Sequence, residues 1–337
     1  MTAFRCYECS ADRPLELRAL APGAAVYVCA DCASWFPVIE DIPDFCPEGS
    51  RDEERWRLFW EEHGERAGLR EPRAVPASRN KQVQREFFDS AVGDYEHVLA
   101  TNPFWLAHDD LALHSWVARV PSSAAVIDLG AGSGRCTVPL ADSLAADAQI
   151  VAVDISFEML REAARKLDAR GTRERVQVVV GDCTQLGFLP DAAFDVAFSY
   201  GLLHHLDDPA PVFTALDRIM RPAASILIHD NNASGMRALF DRMMSRKPLW
   251  VADHEGHPVV ALRDLKGWAA DHGFALEART SVFLPPQLLS RMSVRTSRRV
   301  LELTDRSLSR LPGVRAQGGL ILAEAFRGRR PLVFDGK

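Results

Sequence analysis

The stretch Ala124-Ala125-Val126-Ile127-Asp128-Leu129-Gly130-Ala131-Gly132-Ser133-Gly134 decides the fold. Its first half is a short apolar run of the kind that makes a buried strand. Its glycines let the backbone turn sharply and let a ligand come close to it. Arg135-Cys136-Thr137-Val138-Pro139-Leu140-Ala141 then reads as a helix. A dinucleotide fingerprint would need a glycine at the sixth position from Gly130, where Arg135 stands, so that match fails. Asp128 would also repel a pyrophosphate, whereas a cationic ligand tolerates it. Working outward, Ile150-Val151-Ala152-Val153-Asp154 is a second strand ending in an acid that can take two ribose hydroxyls. A third strand, 176–180, ends at Gly181-Asp182-Cys183. From about residue 86 onward, apolar runs alternate with helical patterns, which predicts an α/β doubly wound sheet.

Ile127-Asp128-Leu129-Gly130-Ala131-Gly132-Ser133-Gly134, Val153-Asp154-Ile155-Ser156 and Gly181-Asp182 are followed by Phe194-Asp195-Val196-Ala197-Phe198-Ser199-Tyr200-Gly201-Leu202-Leu203-His204-His205-Leu206. In this order they resemble the class I methyltransferases that use S-adenosylmethionine, over roughly residues 86 to 330. The resemblance implies a seven-stranded sheet whose last strand, 319–326, inserts antiparallel between the fifth and sixth. It implies that Asp128, Gly130, Ala131, Gly132 and Gly134 hold the methionine part of the cofactor and Asp154 its ribose. Ile155 and Met159 would pack on the adenine, Asp182 and Cys183 would bind its edge, and Tyr200 belongs to the same cofactor group. Pro222-Ala223-Ala224-Ser225 departs from the family's usual Pro-Gly-Gly and is expected to turn differently.

Ahead of this region stand two cysteine pairs, Cys6/Cys9 and Cys29/Cys32, in the pattern C-x2-C-x19-C-x2-C. That spacing suits a tetrahedral zinc site; the alternatives are reduced buried thiols or two disulfides. All four sulfurs would be used, so the metal would be structural. The following Trp35-Phe36-Pro37-Val38-Ile39-Glu40-Asp41-Ile42-Pro43 is similar to a stretch of the small zinc ribbons that accompany some RNA and protein methyltransferases, with Glu40-Asp41 where Asp-Gly is frequent. The expected organisation is a zinc ribbon at 1–48, a helical linker and N-terminal lid at 49–120, and the S-adenosylmethionine-binding domain at 121–337.

The 337 residues are 47% hydrophobic and 26% charged, which supplies a sizeable core and excludes a disordered chain. A net charge of −6 argues against a general nucleic-acid binder. No apolar run approaches the ~20 residues that span a bilayer, and the N-terminus lacks a signal-peptide core. A cytoplasmic protein is expected.

Enzymes that methylate exocyclic or amide nitrogens end the fourth strand in Asn/Asp-Pro-Pro-Tyr; Ser199-Tyr200-Gly201-Leu202 disfavours that chemistry. The fifth strand ends Ile226-Leu227-Ile228-His229-Asp230-Asn231-Asn232, and Asp230 and Asn232 are expected on the substrate side rather than around a divalent metal. Histidine suits proton removal from a hydroxyl near neutral pH. The resemblance puts His204 where related phosphobase methyltransferases keep a catalytic histidine, oriented by a lid tyrosine, here Tyr95. His108 and His254 are rival bases, the latter in a segment, 249–259, expected to fold over the pocket. The function expected is methylation of a hydroxyl on a small-molecule, secondary-metabolite or lipid-linked acceptor. An RNA methyltransferase using the ribbon for recognition, and a non-catalytic ribbon adaptor, are the alternatives. Residues 290–330 hold ten arginines against three acids, and Arg295, Arg299, Arg306 and Arg310 fall on one helical stripe: a solvated face, or a surface for an anionic partner or phosphorylated substrate.

Overall fold

In the computed structural model every residue is described except 1, 10–12, 74, 76, 77, 245–258, 329 and 335–337. The N-terminal segment folds into an antiparallel sheet of β1 (Glu16–Ala21), β2 (Ala24–Val28), β3 (Trp35–Ile39) and the short β4 (Ile42–Pro43), in that order. The β3–β4 turn has Glu40 at φ 50° and Asp41 at φ 60°. Both backbones are left-handed, the conformation that tight two-residue hairpins demand and that glycine or asparagine usually fills.

Four helices follow: α1 (Glu53–Ala67), α2 (Arg79–Thr101), α3 (Pro103–Leu111) and α4 (Leu113–Val117). Asp52 caps α1 by accepting the Arg55 N–H at 3.1 Å, and Gly68 closes it in the left-handed conformation at φ 65°. Trp56 and Phe59, three residues apart on one face of α1, are buried, with Trp56 5.1 Å from Trp35 of the ribbon.

The large sheet is built from β5 (Val126–Leu129), β6 (Ile150–Asp154), β7 (Val176–Val180), β8 (Phe194–Tyr200), β9 (Met220–Asn231), β10 (Ala275–Ser281) and β11 (Leu320–Phe326). Between them run α5 (Thr137–Ser143), α6 (Phe157–Ala169), α7 (Ala210–Ile219), α8 (Gly235–Met244), α9 (Leu262–Asp271), α10 (Pro286–Leu289) and α11 (Val294–Leu308). The strand order is β10-β11-β9-β8-β5-β6-β7, with β5 through β9 parallel and β11 antiparallel to both neighbours, as expected. The order reverses at β5, so the crevice beside that strand's C-terminal end is the natural ligand position. Pro222-Ala223-Ala224 forms no separate loop: α7 passes directly into β9, and the β8–β9 ladder skips from Met220 to Ser225, leaving those residues in a bulge.

The ribbon is welded to this sheet rather than tethered to it. Phe4, Phe36, Phe45 and Trp56 share one apolar cluster with Phe188, Val179 and Leu129 of the large unit. Phe45 stacks on Phe188 at 5.0 Å. The Phe45 N–H donates to the Val180 carbonyl at 2.8 Å and the Arg5 N–H to that of Phe188 at 2.8 Å. The last turn of the ribbon therefore abuts the end of β7, next to Asp182.

Candidate active site

A cavity runs across the C-terminal ends of β5 to β9 and is covered by α2 and α3. Its floor on one side is the glycine turn. Gly130, Gly132 and Gly134 all have positive φ (66°, 51° and 88°), which the turn requires. A side chain at Gly130 would also strike Leu202, 2.9 Å from a Cβ placed there. Asp154 ties the turn together: its Oδ2 accepts the Gly132 N–H at 2.8 Å and its Oδ1 the Ser156 N–H at 2.9 Å. Gly130, Gly132, Asp154, Ile155 and Met159 line the cavity; Asp182, Cys183 and Tyr200 do so as well.

Three of the sequence-assigned cofactor residues act from behind the wall. Asp128 is 1% exposed and accepts the Thr137 hydroxyl at 2.6 Å. Burial, with the nearby Asp154 charge adding to it, pushes its carboxyl up to about 7. It pins the start of α5 to β5. Ala131 is buried as well, and Gly134 permits close packing, since a Cβ there would lie 3.1 Å from Val138 and 3.2 Å from Ala163.

Asp182 is held by groups that sequence reasoning missed. Its Oδ1 accepts the Thr184 N–H at 2.9 Å and the Thr184 hydroxyl at 2.6 Å. Its Oδ2 accepts the Ser50 hydroxyl at 2.7 Å, from the chain leaving the ribbon, and an ion pair from Lys81 of α2. Burial alone would raise this carboxyl, but Lys81, Thr184 and Ser50 together hold it below the ordinary range.

The other half of the cavity is made by α2, α3 and the end of β9. His204 lies in a 3-10 turn, Leu203–His205, directly after β8. Its Nδ1 is 2.6 Å from Oδ1 of Asp230, which is fully buried and also accepts the Leu203 N–H at 2.8 Å and the Asn231 N–H at 2.7 Å. A carboxylate accepting two backbone N–H groups is an acceptor only, so Nδ1 carries the proton and Nε2 is left with its lone pair. His205 beside it is kept neutral, its basicity depressed well below the ordinary value by burial and by His204.

Tyr95 lines the cavity, but its side chain interacts with Arg135, and the bond that orients His204 comes from Asp230. Arg135 grips Asp109 with Nε at 2.8 Å and Nη2 at 2.5 Å, and stacks over Trp105 and Tyr200 at 4.5 and 4.8 Å. Burial pushes Asp109 up, yet the Arg135 cation outweighs it and holds the carboxyl well below the carboxylate range. Tyr200 donates to Asp109 at 3.0 Å and lies flat on His229 at 3.9 Å. His229 is 3% exposed, and neither ring nitrogen has a partner among the described residues. Asp230 and Asn231 line the cavity; Asn232, expected there, instead donates its amide to the Ala316 and Gly318 carbonyls at 3.0 and 2.7 Å. His108 is buried beside this cluster, 5.0 Å from His229, while His254 and the 249–259 segment, through residue 258, lie outside the described residues.

The sulfurs of Cys6, Cys9, Cys29 and Cys32 all lie within 4.8 Å of one another, with the Cys6–Cys32 and Cys9–Cys29 pairs at 3.6 Å. A disulfide would bring a pair to ~2.0 Å. A tetrahedral ion with ~2.3 Å bonds sets its sulfurs roughly 3.7 Å apart, so the donor set is consistent with a zinc ribbon.

Residues 127–228, from β5 to the middle of β9, match the family described as a methyltransferase domain. The chain carries a class I S-adenosylmethionine-dependent methyltransferase domain. It is similar to the demethylmenaquinone methyltransferase of Lactiplantibacillus plantarum, 27% identical over 180 residues, covering 52% of this chain and 70% of that protein. A 37.1 kDa protein from transposon TN4556 of Streptomyces fradiae is 30% identical over 208 residues, or 59% of each chain. Among solved structures, the phosphoethanolamine N-methyltransferase 2 of Haemonchus contortus shares the fold with a TM-score of 0.51 at 17% identity, covering 76% of this chain and 62% of that one. The family's methyl donor is S-adenosylmethionine, and the chain is a methyltransferase of that kind. Among the described residues no helix is long and apolar enough to cross a membrane.

Proposed function

We propose that this methyltransferase alkylates a hydroxyl of a small-molecule, secondary-metabolite or lipid-linked acceptor, with His204 as general base. The observation that carries this is the His204–Asp230 pair at 2.6 Å in the cavity wall, which leaves Nε2 ready to take a proton. S-adenosylmethionine supplies an electrophilic methyl group when bound, so the protein's task is alignment and proton removal. Asp154 and the glycine turn hold the ribose and methionine parts, and Asp182 and Cys183 the adenine. His204 would accept the acceptor's hydroxyl proton at Nε2, and Asp230 would stabilise the imidazolium that forms. Phe87, Phe88, Ala91, Val98, Leu99 and Trp105 line the same cavity and favour an apolar acceptor. Cys6, Cys9, Cys29 and Cys32 would hold one structural zinc. We place the enzyme in the cytoplasm, where thiols stay reduced. The arginine-rich C-terminal helix is left for an anionic partner, and RNA is the less favoured acceptor.

The test is transfer of labelled methyl from S-adenosylmethionine to fractionated lysate. Label should enter an organic-soluble compound as a methyl ether. Label found only in RNA or only in protein would overturn the assignment.

A further inference from the structure

One face of α11 is turned toward the cavity and the other toward solvent, and the two differ sharply. On the inner side Leu301 is buried in an apolar cluster with Phe104 and Trp105, against which Val98, Leu99 and Val300 pack. Trp105, Val98 and Leu99 also line the cavity, so this face is one side-chain layer from the apolar acceptor wall. On the outer side Arg295, Arg299, Leu303 and Arg306 follow at i, i+4, i+8 and i+11, a single stripe. Arg310 extends it just past the helix end, and all five residues are exposed. Leu303 is 66% and Leu311 47% exposed.

Among the described residues none of these four arginines has an acidic partner, whereas Arg298, on the flank of the helix, pairs with Asp110 and Glu302. Residues 290–330 carry +7 in a chain of net −6, so the remainder carries −13. Such a separation orients a molecule in the field of an anionic surface.

We propose that the outer face of α11 docks the enzyme on an anionic lipid surface. Guanidinium groups match phosphate oxygens, and isolated leucines on a basic helix insert among the acyl chains. The stripe contains no aromatic side chain on which bases could stack, which sets it apart from a single-stranded nucleic-acid platform. An acidic protein would use the arginines but leave the exposed Leu303 and Leu311 beside them in water. A lipid surface uses both, and it would also carry an apolar acceptor toward the enzyme. That last step rests on the hydroxyl-methylating function proposed above; the docking itself does not.

The test is co-sedimentation of the full chain with phosphatidylglycerol-containing vesicles and with phosphatidylcholine alone. Binding should be at least ~10-fold stronger to the anionic vesicles and be released by ~0.5 M salt. Reversing Arg295, Arg299 and Arg306 to Glu should abolish it, with S-adenosylmethionine affinity and the unfolding midpoint unchanged. Leu303→Ser should weaken it ~3-fold. No sedimentation, equal binding to both lipids, or full binding by the charge-reversed variant overturns the proposal. Release from vesicles by poly(U) or polyglutamate at lower charge equivalents would reassign the face to RNA or to an acidic protein. Methyl transfer measured on a soluble acceptor is indifferent to these outcomes, so failure of docking and failure of the proposed chemistry are told apart.

Discussion

The two halves of the cavity are made in different ways. The glycine turn at the centre of the cofactor half is local: a strand end, three left-handed glycines, and an acid at the end of the next strand that binds the turn through the Gly132 N–H. Most of its groups are backbone, fixed by short-range geometry. The acceptor half is assembled from distant parts of the chain. Asp109 of α3 meets Arg135, which follows the glycine turn just ahead of α5, and Tyr200 from β8, and His204 meets Asp230 across 26 residues. Under the function proposed above, the first half takes the cofactor and the second sets what is methylated.

The largest expected effect separates the halves most cleanly. His204→Ala should lower turnover ~10²–10⁴-fold with a labelled-methyl assay, while calorimetry finds S-adenosylhomocysteine affinity within a factor of ~2. Asp230→Asn should give a similar turnover loss, because the amide can no longer select the Nδ1–H tautomer. A His204→Ala enzyme with full activity on its acceptor would remove the base from the mechanism and leave the acceptor half a positioning surface.

The mirror experiment is Asp154→Ala. Its two oxygens hold the Gly132 N–H of the turn and the Ser156 N–H at the start of α6 and would also take the ribose, so cofactor affinity should fall at least ~10-fold, about 1.5–3 kcal/mol for a charge-assisted pair of contacts. Turnover at saturating cofactor should change much less. Unchanged affinity by calorimetry would break the assigned register of β6.

What the sequence could disclose depends on whether a group belongs to a contiguous motif. The glycine turn and the cysteine quartet are such motifs, with spacing as the signal, whereas the strand order and the antiparallel insertion of β11 were implied by the family resemblance those motifs carry. Ser50, Lys81 and Asp109 carried no such signal. Ser50 reaches Asp182 across 132 residues and Lys81 across 101, contacts that exist only because the ribbon and α2 are packed onto the end of β7. His229 could have been noticed as a histidine one residue before a buried acid. Tyr95 was placed beside His204 by resemblance alone; α2 turns it toward Arg135. Strand alternation would keep Asn232 on the side of Asp230, but β9 ends at Asn231, and beyond it the Asn232 amide turns to the Ala316 and Gly318 carbonyls.

A third experiment probes the weld between ribbon and cofactor half. Cys29→Ser should release bound zinc, measurable by metal analysis, and loosen residues 1–48. Because Phe45 bonds to Val180 and Ser50 to Asp182, cofactor affinity should also drop, by ~3–10-fold, the scale of one hydrogen bond to a charged group. Full metal content would sink the zinc assignment. Metal loss with unchanged cofactor affinity would show the ribbon to be a passenger on the sheet.

The smallest effect asks how Asp182 receives its ligand. Four donors converge on its two oxygens: the Thr184 N–H and hydroxyl on Oδ1, and the Ser50 hydroxyl and Lys81 ammonium on Oδ2. A carboxylate offers about four lone-pair sites, so this one is full. An adenine amino group can bond to it only by displacing a donor. Lys81 is the one to leave: it is partly exposed at the end of a flexible stem, and its charge is better hydrated than a buried hydroxyl. Lys81→Met keeps the stem, removes the competitor and frees one lone pair. S-adenosylmethionine should then bind ~2–5-fold more tightly by calorimetry, the modest net value of exchanging one partly solvated pair for a neutral hydrogen bond. Weaker binding in that variant would mean that the ammonium touches the cofactor itself, and that α2 contributes to the cofactor half as well as covering it.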